Sequence, residues 1–157
     1  MLPDNLRDRA VAAAVEAFDA DALKGGQYER GELTLEVAPA KIASICGFLK
    51  YDQQFVRLST VTAVDRWPAE PRFEVVYHLH SVERNERVRV KCRIPEEAPA
   101  IESVTEVWRG ANWYEREVFD LFGIRFVNHP NLLRIMLPED WEGHPLRKDY
   151  PVTGQRV

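Results

Sequence analysis

Apolar residues recur at intervals of three and four near both ends of this chain and at intervals of two through its middle. From Asp4 to Leu23, Leu6, Ala10, Ala14, Ala17 and Phe18 fall at helical spacing, and Gly25-Gly26 stand where such a helix would stop. Tyr28 to Val37 holds two short alternating pieces around Gly31, the pattern of a hairpin. Pro39 opens a second helix with Ile42, Ile45, Cys46 and Leu49 on one face. Three strand-like runs follow. Phe55 to Trp67 is β-branched, Phe73, Val75, Tyr77 and Leu79 alternate with Glu74, Val76, His78 and His80, and Val88, Val90, Cys92 and Ile94 alternate with Arg87, Arg89, Lys91 and Arg93. The order predicts an α+β fold, a mixed β-sheet with helices packed on one face as a two-layer sandwich.

A last helix is bracketed at both ends by sequence signals. Ser103-Val104-Thr105-Glu106 fits a capping box, and Gly123 fits the left-handed residue beyond a helix end. Between them Val104, Trp108, Ala111, Glu115, Val118 and Phe122 form one stripe. Glu115 interrupts that stripe with a carboxylate, and burying one is costly without a partner. An arginine is expected to meet it, with Arg134, Arg147 or a residue of another protein chain as candidates.

The pattern then changes character. Beyond Ile124 the chain has no periodicity, and prolines stand at 130, 138, 145 and 151. Disordered tails are poor in large apolar groups, yet this one holds Leu132, Leu133, Ile135, Met136, Leu137 and Trp141. The expected organisation is an α+β domain over residues 1–124 and an extended docking tail over 125–157. Alone, such a tail is expected to be loosely held.

Composition narrows the function. The 157 residues carry a net charge of −4, with no basic excess for nucleic acid to engage. Cys46 and Cys92 are far apart, with no CxxC pair, so an iron–sulfur cluster or structural zinc lacks its ligands. No apolar run approaches the roughly 20 residues of a membrane span, and the chain reads as soluble and internal. No glycine-rich phosphate loop is present.

Four groupings of polar residues remain. Glu115, Glu117 and Asp120 could be acid/base carboxylates, but Glu115 and Glu117 lie two apart on a helix and point to different faces. His78 and His80 share a strand face with no further metal ligand in view. His129 and His144 each precede a proline and are better placed to fix a turn. Arg87, Arg89, Lys91 and Arg93 form a basic stripe, read either as a solvated face neutralised by Glu74, Glu83 and Glu86 or as a patch that docks an acidic protein surface.

Two ordered motifs carry a resemblance. Glu115-Arg116-Glu117-Val118-Phe119-Asp120-Leu121-Phe122-Gly123-Ile124, followed by His129-Pro130, resembles the signature of the 30-kDa subunit family of respiratory complex I, the NADH–quinone oxidoreductase. Leu137-Pro138-Glu139-Asp140-Trp141-Glu142-Gly143-His144-Pro145-Leu146-Arg147-Lys148-Asp149-Tyr150-Pro151 resembles the family's closing segment. Asn128 stands where the family usually has glycine, and Asn131 and Leu133 replace an aspartate and a basic residue. The resemblance implies an accessory subunit of the hydrophilic arm with no catalytic, cofactor or metal site of its own. Its parent complex would use FMN, iron–sulfur clusters and quinone. Partners would be the quinone-site subunit and cluster-bearing neighbours of the same complex, at the cytoplasmic face of the inner membrane and touching the membrane only through the complex. Interface or structural roles then fall to Glu115, Arg116, Glu117, Asp120, Gly123, His129, Pro130, Arg134, Trp141, His144, Pro145, Leu146, Arg147, Lys148 and Tyr150. A homologous subunit of a membrane-bound hydrogenase-type complex is a close variant. A free-standing hydrolase using Glu115, Glu117, His129 and His144 is the alternative of a different class.

Overall fold

A computed structural model describes residues 3–153. Seven strands and three α-helices follow in the order β1 (Leu23–Glu29), β2 (Glu32–Val37), β3 (Arg57–Asp65), β4 (Phe73–Ser81), β5 (Glu86–Ile94), β6 (Ala100–Glu102) and β7 (Arg125–Val127). Helix α1 (Ala10–Phe18) precedes β1, α2 (Ile42–Tyr51) lies between β2 and β3, and α3 (Ala111–Phe122) separates β6 from β7. Five strands form one sheet in the order β1-β2-β5-β4-β3, and β6 pairs with β7 in a small parallel ribbon. The large sheet is mixed because β2 and β5 run parallel while its other neighbours are antiparallel.

The period-two alternation decides which face is buried. Phe73, Val75, Tyr77 and Leu79 of β4 and Val88, Val90, Cys92 and Ile94 of β5 share a core with Ile42, Ile45, Cys46 and Leu49 of α2 and Val118 and Phe122 of α3. The opposite sheet face carries Glu74, His78, His80 and the basic residues of β5. The hairpin lies where Gly31 predicts it, with Arg30 and Gly31 both at positive φ, as a two-residue primed turn requires.

Two boundaries differ from the pattern. The N-terminal segment is not one helix from Asp4 to Leu23. A single 3-10 turn at Asp4–Leu6 precedes α1, with Arg9 extended between them. Leu6 is fully buried, seated where Gly26 leaves room: a Cβ at Gly26 would come within 2.8 Å of Leu6 Cδ1 and 2.5 Å of the Thr34 carbonyl oxygen. Gly25-Gly26 therefore belong to β1 and end no helix. Helix α1 stops instead at Asp19, whose carboxylate accepts the Asp21 and Ala22 amides.

The last helix also begins later than its capping box suggests. It starts at Ala111, after Gly110 at its N-cap, with no side-chain cap. Ser103 and Val104 sit in a buried connection from β6, and Trp108 Nε1–H ties that connection to the Val56 carbonyl at 3.0 Å. At the other end Gly123 has φ of 75°, and its amide donates to the Phe119 carbonyl at 2.9 Å, the expected left-handed closure. The ribbon strand β7 lies just beyond it, so regular pairing continues past residue 124.

Candidate functional site: a stapled C-terminal arm

Helix α3 and the arm after it meet through one carboxylate. Asp120 is fully buried, and its Oδ2 accepts three consecutive backbone amides, from Ile135 at 3.0 Å, Met136 at 2.7 Å and Leu137 at 2.9 Å. Arg134 Nη1–H donates to its Oδ1 at 2.6 Å, and Arg134 Nη2–H reaches the Gly143 carbonyl at 3.0 Å. Burial alone would raise the Asp120 pKa. The Leu137, Met136 and Ile135 amides and the Arg134 guanidinium together outweigh it and hold the carboxyl below its usual range. One side chain on a rigid helix therefore fixes the backbone of an aperiodic segment.

A second contact explains the spacing of Gly123 and His144. The Asp120 and Leu121 carbonyls lie in the last turn of the helix, where the backbone offers them no partner of its own. His144 Nδ1 lies 2.8 Å from the Asp120 carbonyl oxygen, and the Leu146 amide donates to that of Leu121 at 3.0 Å. The imidazole lies directly over Gly123, where an added Cβ would come within 2.7 Å of His144 Cδ2. Position 123 thus requires glycine twice, for its left-handed backbone and for the ring above it.

A third contact clasps the far end of the arm to the sheet. Arg72, 1% exposed, donates to both carboxylate oxygens of Asp65, at 2.9 and 2.7 Å, and reaches Asp149 at 2.9 Å and Glu96 at 2.7 Å. Asp65 also accepts the Lys148 amide at 2.8 Å. The Arg72 guanidinium holds the Asp65 pKa down at about 2. Arg147 packs over the Phe73 ring and bonds Asp149 at 3.1 Å. Through these three contacts, buried charge satisfies backbone donors of the described part of the arm.

Glu115 departs from expectation more sharply. It is fully buried, but among the described residues no arginine meets it. Its carboxylate accepts Ser103 Oγ–H at 2.6 Å and the Val104 amide at 2.7 Å, and His129 Nε2 stands 3.9 Å away. Burial pushes its pKa up to about 7 despite those two hydrogen bonds. Arg134 is drawn to Asp120 instead, and Arg147 to Asp149 and Glu96. Ser103, expected as a helix cap, is thus the partner of the carboxylate expected to need an ion pair.

His129 bonds at both ring nitrogens, with Nε2 3.2 Å from the Asn112 carbonyl oxygen and Nδ1 accepting the Asn131 amide at 3.0 Å. That pattern fits the neutral ring, and burial lowers its pKa. Arg116 Nε–H donates to the Leu133 carbonyl at 3.0 Å and Nη2–H to that of Arg134 at 3.2 Å, while its guanidinium lies over the Trp113 ring. Asn128 has φ of 65°, a left-handed position that asparagine tolerates better than most other side chains. Glu117, Pro130, Leu133, Leu146 and Lys148 are exposed, whereas Trp141, Pro145 and Tyr150 are half-buried.

The hydrolase constellation is not assembled. His129 bonds the first turn of α3 and His144 its last, eight residues or about 12 Å apart along the helix. Glu115 is buried and Glu117 exposed on another side. Burial pushes the Cys92 thiol up to about 12 and raises that of Cys46, which leaves neither as a ready thiolate. Among the described residues, no group of three or more His, Cys, Asp and Glu side chains could hold a metal ion. Sequence reasoning missed Asp65, Arg72, Glu96 and Asp149, because only folding brings residues 65 and 149 together. Arginine and aspartate flanking a proline-rich turn were the sole local hint.

Fold and arm together define a helix-backed mixed-sheet domain with a backbone-stapled C-terminal arm. The family model for "Respiratory-chain NADH dehydrogenase, 30 Kd subunit" matches residues 35–156. A subunit of the NADH-quinone oxidoreductase of Geobacter sulfurreducens is 48% identical over 148 residues, 94% of this chain and 91% of that one. Among solved structures, Nqo5 in its trypsin-resistant fragment (1-134) superposes with a TM-score of 0.68 at 30% identity, covering 78% of this chain and 98% of that one. A chain of the membrane-bound sulfane sulfur reductase, an archaeal respiratory membrane complex, superposes with a TM-score of 0.77 at 30% identity, covering 90% of this chain and 84% of that one. The chain belongs to the 30-kDa subunit family of respiratory NADH dehydrogenase, whose members are subunits of multi-subunit respiratory complexes. No described helix is long and apolar enough to cross a membrane.

Proposed function

We propose that this chain is an accessory structural subunit of the hydrophilic arm of proton-pumping NADH–quinone oxidoreductase. It docks on the quinone-site subunit and on cluster-bearing neighbours, carries no redox cofactor itself, and sits peripherally at the cytoplasmic face of the inner membrane. One observation carries this reading. The arm's backbone is pinned inward while three of its large apolar side chains face outward: Leu133, Met136 and Leu146 are 51%, 62% and 52% exposed, beside Trp113 of α3 at 62%. Backbone amides already satisfied within the chain leave those side chains free to supply hydrophobic contact to a partner. The electron donor of the parent complex admits a second reading, since an archaeal sulfane sulfur reductase contains a chain of this fold. A homologous subunit of a hydrogenase-type complex would dock in the same manner.

Truncation before Pro138 tests the proposal. It removes Leu146, the His144 contact and the Asp149 clasp but leaves Asp120 bonded to Ile135, Met136 and Leu137. The truncated chain should fold, and native gels of membranes should show its loss from the complex in proportion to lost NADH–quinone activity. A fully assembled complex with a turnover defect would mean that the arm shapes the active site, and the purely structural role would be wrong.

A further inference from the structure

The basic stripe of β5 is not uniform once the sheet is assembled. At one end Glu74 faces Arg93 across the strands and takes Arg66 at 2.9 Å, Lys91 at 3.1 Å and Arg93 at 3.8 Å. In the middle Glu32 takes Arg89 at 2.6 Å. The other end is different. Arg87 stands directly opposite His80 of β4, and His80 stands opposite Arg57 of β3, so three basic side chains form one row across three strands. Among the described residues, no carboxylate lies within ion-pair distance of Arg57 or Arg87, and both are exposed.

This row borders an open cleft of about 430 Å³ on the face turned away from the helices. Arg57, Arg87 and Arg89 line it against one carboxylate, Glu32, which Arg89 already occupies. The cleft is therefore positive on a chain whose net charge is −4. Ser59, at the bulge where the β3–β4 register shifts, and Thr60 add hydroxyls to the lining.

We propose that this cleft docks a carboxylate-bearing loop of a neighbouring protein in the complex, an interface separate from the apolar one of the arm; the inference rests on the subunit role proposed above. Two strand spacings place Arg57 and Arg87 about 10 Å apart at their backbones, a span for two carboxylates more than for one small anion. Both arginines are also open to water, where a lone anion is screened, whereas carboxylates held by a larger interface add specificity and speed to docking.

The test compares the wild-type chain with the double variant Arg57→Glu/Arg87→Glu in complexes solubilised from membranes and washed through a salt series. The wild type should remain through the series, and the variant should dissociate at several-fold lower salt. The isolated variant should melt no lower than wild type, because both positions are exposed and neither arginine has an ion-pair partner among the described residues to lose. If the variant is destabilised, Arg57→Gln/Arg87→Gln serves in its place with the same expectation. Retention of the variant at wild-type salt overturns the docking cleft and leaves the arm's role standing. A wild-type chain absent from the complex overturns the subunit role, and this inference with it. Pyrophosphate raising the melting temperature of the isolated wild type, with a hexaglutamate peptide having no effect, would identify a small-anion site and also overturn the proposal.

Discussion

Replacing Asp120 with asparagine keeps the shape of the staple and removes its charge. The amide oxygen can still face the three amides of Ile135, Met136 and Leu137, but the NH2 group must then confront Arg134 Nη1 across 2.6 Å, donor against donor. A hydrogen bond to a charged group contributes about 1.5–3 kcal/mol against about 0.5–1.5 kcal/mol for a neutral pair, so loss of charge weakens the other three as well. The expected cost is about 3 kcal/mol, concentrated where the arm is held. One tenfold change corresponds to about 1.4 kcal/mol, so the amides of residues 135–137 should exchange with solvent about 100-fold faster in Asp120→Asn. Amides at the centre of β4 and β5 should change little. The pH dependence has a defined sign. A carboxyl whose folded pKa is lowered stabilises fully above its unfolded value of about 3.9 and loses that contribution as pH falls through the folded value. Acid should therefore release the same three amides in the wild type. Unchanged protection at 135–137, or equal loss throughout the sheet, would refute a local staple.

Three further outcomes follow from the other buried groups. Glu115, with its folded pKa raised to about 7, should make the protein most stable below the unfolded value of about 4.3, with stability falling by up to about 3 kcal/mol as pH rises towards 7. Glu115→Gln should flatten that slope in urea titrations run between pH 5 and 8, whereas Glu115→Ala should destabilise at every pH; an unaltered slope in the glutamine variant would assign it to another group. Arg72→Ala strands Asp65 and should cost about 3–5 kcal/mol by chemical denaturation, while Asp149→Ala, which removes a half-exposed partner, should cost about 1 kcal/mol or less. Gly123→Ala meets both a left-handed backbone and the His144 ring, and should lower stability by at least about 1–2 kcal/mol and shift the His144 ring resonances; a neutral effect would mean that the arm does not lie over the helix end.

The sequence alone determined what local rules govern. Strands β4 and β5 follow from period-two alternation because one face of each is buried, α2 follows from its apolar stripe, and Gly123 marks a helix end because glycine accepts a left-handed backbone. Family membership was legible too, since two long motifs appear in order. What tertiary structure decided were the partners of charges, which depend on which distant segments meet. Gly25-Gly26 look like a helix stop but make room for Leu6. Ser103 looks like a cap but satisfies Glu115 twelve residues on, and the arginine expected there is claimed by Asp120, which offers three further donors a shared acceptor. Periodicity says that a carboxylate is buried. Only the fold says whether a charge, a hydroxyl or a run of amides comes to meet it, because that choice is made by chain segments up to 83 residues apart.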